Sequence, residues 1–173
     1  MKNTLKYLAF ALFGCLLILA CGSEKKSNEP FGDCQYGAPK AVFKPEIPKL
    51  SKHSFQLNKN AAIEKVQFDN GIALELIQSG CEKPKQEFQF TIPASTNNFK
   101  DGDWINMGID MFAYMGRLAP ELQPFLMWQG ALSDRMDQLK LGLPHELEQG
   151  FFVKLDKVAG GDSGLLLVTL YQE

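Results

Sequence analysis

The sequence predicts an α+β fold, in which an antiparallel sheet of about five strands carries two helices on one face. Apolar and polar residues alternate between residues 62 and 92 and again between residues 151 and 171, which is the period of half-buried strands. Between residues 103 and 140 the apolar residues are spaced by three and four, the period of an amphipathic helix. The resulting order is β-β-β-α-α-β-β.

The clearest local signal is a β-hairpin around Asp69-Asn70-Gly71, because an Asx-Gly turn joins adjacent strands tightly. Apolar residues alternate on both sides of this turn: Val66, Phe68, Ile72, Leu74 and Leu76. A third strand is expected at residues 87–92, where Pro93 ends it. A closing hairpin is expected at residues 151–171, with a glycine-rich turn at its centre.

Two helices are expected between these groups of strands. Asp103 is a suitable cap for the first helix. Its apolar positions repeat at helical spacing: Trp104, Ile105, Ile109, Phe112 and Met115. The second helix is expected from about Glu121 or Gln123 to Lys140. Its expected buried stripe is Phe125, Leu132, Met136 and Leu139.

Residues 1–20 have the pattern of a secretory signal peptide. Lys2 and Lys6 precede an uncharged, mostly apolar run from Leu8 to Ala20. That run is shorter than the roughly 20 apolar residues that a membrane-spanning helix needs. The segment is therefore left out of the fold prediction.

The end of this segment, Leu17-Ile18-Leu19-Ala20-Cys21, resembles the lipobox of bacterial lipoproteins. The resemblance implies cleavage before Cys21 and acylation of its thiol and of its new amino group. Because two or more acyl chains anchor a protein stably, it also implies a lipid-anchored protein on the extracytoplasmic side of a bacterial membrane. Gly22 stands where enteric lipoproteins retained in the inner membrane carry Asp, so in a host with two membranes the outer membrane is implied.

After such processing the chain divides into two parts. Residues 21–32 are expected to form a lipidated, flexible tether, and residues 33–173 a single α+β domain. Cys34 and Cys81 then remain as an even pair in a compartment where disulfides persist, and we expect them to be bridged. Two free buried thiols, or a pair of metal ligands, are the alternatives.

No enzymatic centre is predicted. Gly161-Asp162-Ser163-Gly164 resembles the nucleophile motif of chymotrypsin-like proteases, but a glycine-rich turn accounts for it. His145 and Glu146 do not extend to a zinc motif, because Gln149 stands where the second histidine belongs. A net charge of -2 gives no electrostatic signature of nucleic-acid binding. We therefore expect a protein without catalytic residues, metal ligands or cofactor.

The helical region holds more methionine and aromatic residues than one buried stripe needs. The surplus predicts an apolar contact patch: Met107, Met111, Tyr114, Met127 and Trp128. The alternative is that these residues pack the two helices against each other. The function predicted is a non-catalytic binding module of the cell envelope, meeting an envelope protein or an apolar ligand in addition to the bilayer.

Two further functions stay open at this point. One is a carrier of a small apolar molecule. The other is an inhibitor of a cell-wall-degrading enzyme, since small lipoproteins that block lysozyme use a Ser-Gly loop followed by an aromatic residue. Ser79-Gly80 is similar to that loop, but Cys81 follows it here.

Overall fold

A computed structural model describes residues 31–32 and 34–173 of the chain. The strands are β1 Leu50–Leu57, β2 Ala61–Phe68, β3 Ala73–Ser79, β4 Lys85–Ile92, β5 Pro144–Glu148, β6 Phe151–Val158 and β7 Gly164–Gln172. The helices are α1 Asp101–Gly116 and α2 Pro124–Ser133, with a short 3-10 helix at Pro120–Leu122 between them. All seven strands form one sheet in the order β1-β2-β3-β4-β7-β6-β5. Every neighbouring pair is antiparallel.

The predicted α+β class is confirmed, but the sheet has seven strands instead of about five. The two additional strands, β1 and β5, are its two edges. Both expose most of their side chains, so neither carries the strong apolar alternation that marks a half-buried strand. The segment around His145, for which the sequence predicted no strand, is strand β5.

Both helices differ from their expected bounds. α1 begins at Asp101, so Asp103 lies inside the helix, where its Oδ2 accepts a hydrogen bond of 2.7 Å from the Lys100 backbone N–H. α2 ends at Ser133, before the expected Lys140. Met136 therefore falls outside the helix and is 41% exposed, although the helical pattern predicted it to be buried.

The core lies between the sheet and the two helices. Alternate residues of β2, β3, β4, β6 and β7 point into it, and the helices contribute an aromatic cluster. Phe88 of β4 contacts Phe112 of α1 and Phe125 of α2, with ring centroids 5.1 Å and 5.8 Å apart. These contacts hold both helices on one face of the sheet and leave its other face open.

A buried carboxylate attaches the segment before β1 to the helix-covered face of the sheet. Glu64 of β2 is fully buried, and its two oxygens accept the backbone N–H groups of Val42 and Phe43 at 2.8 Å and 2.9 Å. His53 Nε2 of β1 lies 2.7 Å from Glu64 Oε1. Phe43 is thereby placed in the core between the sheet and α2.

Cys34 and Cys81 lie at disulfide distance, with their Cα atoms 4.5 Å apart, as the sequence predicted. Phe31, near the end of the expected tether, is buried. The expected signal peptide and lipidated Cys21 lie outside the described residues. Among the residues that are described, no helix is both long enough and apolar enough to cross a membrane.

Candidate apolar binding site

Helix α2 is unusual in carrying no charged side chain over its ten residues. Phe125 and Leu132 are buried against the core. On its other side Met127 is 77% exposed, the largest exposed fraction among the large hydrophobic side chains of the described residues. A solvent-facing side of a helix is normally polar, so an apolar one marks a surface that gains by being covered.

An apolar pocket of about 260 Å³ opens between α2 and the β5–β6 hairpin. Most of its lining is apolar: Pro124, Met127, Trp128, Ala131, Leu147 and Phe151. Glu148 is the charged member of the lining and comes from β5. The pocket thus presents a hydrophobic interior with one acidic group.

Two aromatic side chains in the lining of this pocket stack on each other. The rings of Trp128 and Phe151 are stacked with centroids 4.9 Å apart and an interplanar angle of 21°. Both side chains also pack against the core, and Leu147 beside them is buried. Met127 is the exposed and flexible member, and an unbranched thioether adapts its shape to different apolar groups.

The tight β5–β6 turn brings Phe151 opposite Trp128. Gly150 adopts a positive φ of 75°, which favours glycine, and its N–H donates to Glu146 Oε1 at 2.9 Å. The strand register shifts between Glu146 and Glu148, and this irregularity accompanies the inward placement of Leu147. Two strand ends and one helix therefore build the pocket.

The structure divides the predicted contact patch between two places. Met127 and Trp128 of α2 line the pocket. On α1, Met111 is buried and Met107 packs against the core. Tyr114 lies near the β2–β3 turn, where its hydroxyl donates to Asp69 Oδ1 at 2.9 Å. The three α1 residues are therefore not part of the α2 pocket.

Leu147 and Phe151 complete the pocket and were missed as site residues from the sequence. The signal for Phe151 was the adjacent pair Phe151-Phe152, because consecutive strand residues point to opposite faces and both cannot be in the same core. Phe152 does face the other side, where it stacks on Tyr171 at 5.6 Å. Leu147 carried no such signal, since it stands among charged residues.

A second groove, of about 450 Å³, lies beside the end of α1 and has a different character. Lys49, Asp110 and Arg117 line it together with Tyr114. Burial, together with the hydrogen bond and the charge of Asp69, raises the pKa of Tyr114 to about 12. Charges of both signs face this groove, so it does not select an apolar ligand.

The open face of the sheet is mixed, with charged groups beside half-buried apolar side chains such as Ile77 and Leu167. It carries cross-strand and same-strand ion pairs, including Lys65–Glu75 at 2.9 Å and Lys154–Asp156 at 2.9 Å. A depression of about 510 Å³ crosses this face near Lys65 and Gln89. Its exposed ion pairs contribute little to binding or stability, because water and salt screen them.

Both histidines of the chain make structural hydrogen bonds. His53 binds Glu64, and His145 Nε2 accepts the Lys140 backbone N–H at 2.8 Å. Ser163 lies in the β6–β7 connection, between the two closing strands. Within residues 31–32 and 34–173, no group of three or more His, Cys, Asp or Glu side chains is placed to hold a metal ion.

The Ser79-Gly80-Cys81 segment lies where β3 leads into β4. Gly80 has a positive φ of 88°, and Cys81 is joined to Cys34.

Comparison of the chain with protein-family models, with curated proteins and with solved structures found no match.

Proposed function

We propose that the protein is a non-catalytic binding module of the bacterial cell envelope that accepts an apolar group in the α2 pocket. The observation that carries this proposal is the stacked Trp128–Phe151 pair in the same pocket lining as the exposed Met127. Removal of such apolar surface from water contributes about 25 cal/mol for each Å², and the entropy cost of association offsets part of this gain. The pocket therefore supplies binding energy without any reacting group.

The size of the pocket indicates what it holds. Its volume of about 260 Å³ is just below the roughly 300–1,000 Å³ of sites that enclose a whole small molecule. It suits part of a larger ligand, such as one anchoring apolar side chain of a protein partner. The acidic rim residue Glu148 favours a ligand that carries a positive charge beside its apolar group.

Binding of a neutral, fluorescent phenylnaphthylamine probe tests the pocket. We expect saturable binding that Met127→Glu weakens by about tenfold or more, because it replaces an apolar lining side chain by a charged one beside the bound probe. The matched control is Met136→Glu, which adds the same charge at an exposed methionine outside the pocket. Absence of saturable binding, or an equal effect of both substitutions, would contradict the proposal.

The proposed location in the cell envelope rests on the resemblance of residues 17–21 to a lipobox. We propose that Cys21 is acylated and holds the domain on the outer side of a membrane. Incorporation of labelled palmitate tests this in cells. The wild-type chain is expected to take up label and Cys21→Ser to lose it, whereas Cys15→Ser, inside the apolar run, should keep it. Label on Cys21→Ser would refute the assignment.

The ligand class separates an interaction module from a carrier. A protein partner bound in equal stoichiometry, and lost with Met127→Glu, supports the interaction module. Lipid that remains with the purified protein and is lost with the same substitution supports a carrier. The acidic residue in the lining favours the first, since the acidic headgroups of fatty acids would be repelled by Glu148.

A further inference from the structure

The two edges of the sheet are unequal. β5 spans only five residues, begins with Pro144 and contains a register shift between Glu146 and Glu148. A short strand, a proline and a bulge are the features that stop an edge from pairing with another strand. β1 spans eight residues without proline; its own register shift lies at its start, between Leu50 and Lys52, and its ladder with β2 is regular from Lys52 to Leu57. The edge formed by β1 is therefore suited to pairing with another strand.

The outward backbone groups of β1 can be assigned from its hairpin. Asn58 N–H donates to the Ala61 carbonyl at 2.8 Å, so this pair is hydrogen-bonded across the hairpin. In antiparallel pairs, hydrogen-bonded and non-bonded positions alternate. The N–H and C=O groups of His53, Phe55 and Leu57 consequently point away from β2. In the described part of the chain, β1 has no strand partner other than β2.

The side chains of these same residues form an incompletely covered apolar border. His53, Phe55 and Leu57 pair with inward-facing positions of β2, so they lie on the helix-covered face. Phe55 is only half-buried there, and Leu57 is 38% exposed. An added strand with apolar residues at alternate positions would extend the core over them.

We propose that a second copy of this chain pairs with β1 in antiparallel orientation, with Phe55 facing Phe55 of the second copy. This register sets His53 against Leu57, so every outward N–H and C=O of these residues gains a partner. It also joins two aromatic side chains at the two-fold axis, a favourable cross-strand pair.

β1 itself is a strand with apolar residues at alternate positions, Phe55 and Leu57, and charge does not oppose its pairing with a second copy. Lys52 is the one Lys or Arg residue of β1, and the strand has no acidic residue. In the proposed register Lys52 faces Asn58, and no two like charges are opposed. The interface would join two seven-stranded sheets into one continuous sheet.

Cysteine cross-linking of the full-length protein tests both the pairing and its register. Ser54 and Gln56 are exposed on the open face. The proposed register places Ser54 of one copy opposite Gln56 of the other. Such a non-hydrogen-bonded pair has Cα atoms about 4.5 Å apart, which suits a disulfide. We expect a mixture of Ser54→Cys and Gln56→Cys to form covalent dimer about fivefold or more above either variant oxidised alone, since only the mixture aligns two thiols.

A mixture of Ser54→Cys and Lys85→Cys is the control for random collision, because Lys85 is exposed on β4, away from this edge. Cross-linking of the test mixture no greater than this control would overturn the proposal. Equal cross-linking of each variant alone would overturn the register. If a strand of a different protein paired with β1 instead, the test mixture would also show no cross-linking above the control, and the proposal would be overturned.

Discussion

At the scale of single residues, the Glu64 carboxylate joins the segment before β1 to the sheet. Replacing it by alanine leaves the N–H groups of Val42 and Phe43 and the ring of His53 without their acceptor. Unsatisfied buried donors are costly, so we expect Glu64→Ala to lower the free energy of unfolding by about 2–4 kcal/mol.

Chemical denaturation measures this loss. The control is Glu75→Ala, which removes an acidic residue of β3 whose ion pair with Lys65 is exposed, and it should cost less than about 1 kcal/mol. Glu64→Gln keeps one acceptor oxygen and should fall between the two. Equal stability of Glu64→Ala and Glu75→Ala would show that the carboxylate does not hold the segment.

Tyr114 makes stability depend on alkaline pH. Burial, together with Asp69, raises the pKa of its hydroxyl from 10.0 to about 12 in the folded protein. The folded state therefore keeps the proton more tightly, and this contribution is complete below pH 10 and is lost as the pH rises from 10 to about 12.

Tyr114→Phe removes the titrating group. We expect unfolding curves of the wild type to show a steeper loss of stability between pH 10 and 12 than those of the variant. Tyr36→Phe, at a tyrosine that is 60% exposed, is the control and should leave the slope unchanged. The same slope in the wild type and in Tyr114→Phe would show that Tyr114 does not cause the loss of stability at alkaline pH.

At the scale of elements, the position of α2 depends on a close approach to α1. A Cβ atom added at Gly116 would lie 2.7 Å from Leu126 Cδ2 and 3.1 Å from the Leu126 backbone N. One added at Gly130, within α2, would meet no atom within 4 Å. The first glycine is thus required by packing and the second is not.

Alanine at each position should give opposite results. Gly116→Ala is expected to lower the unfolding free energy by about 1–3 kcal/mol through overpacking. Gly130→Ala is expected to raise it by up to about 1 kcal/mol, because alanine favours a helix over glycine. Thermal or denaturant unfolding measures both. A neutral Gly116→Ala would mean that the helices can separate at no cost.

Elements with one buried face were predictable, and edge elements were not. The hairpin around Asp69-Asn70-Gly71 and strand β4 carry apolar residues at alternate positions because one of their faces is in the core. β1 and β5 lack this alternation because most of their side chains are exposed at the edges of the sheet. The end of α2 was also missed, since Met136 and Leu139 continue the helical spacing in a turn that is not helical.

At the scale of the molecule, the Cys34–Cys81 bridge ties the start of the domain to the β3–β4 connection. The two residues are 47 positions apart. The loop-entropy estimate for a bridge of this span is about 4 kcal/mol. We expect Cys34→Ser/Cys81→Ser to lose about that amount, and the wild type in reductant to match it. A double variant as stable as the oxidised wild type would show that no bridge forms.

The candidate site was predictable only in its helical half. The sequence showed more methionine and aromatic residues than one buried helical stripe needs, and Met127 and Trp128 are among them. Their partners Leu147 and Phe151 come from β5 and β6, which are distant in the chain, and only the turn at Gly150 brings them to α2. Met107, Met111 and Tyr114 share the same composition signal but lie elsewhere, because composition does not specify which surface a helix presents.

The most direct test of the central claim uses the indole N–H signals of Trp104 and Trp128 in an NMR titration with toluene. Trp128 lines the α2 pocket, whereas Trp104 is fully buried in the core and serves as an internal control. The pocket account predicts a saturable shift of the Trp128 signal while that of Trp104 stays in place. An unmoved Trp128 signal, or equal and non-saturating shifts of both, would contradict it.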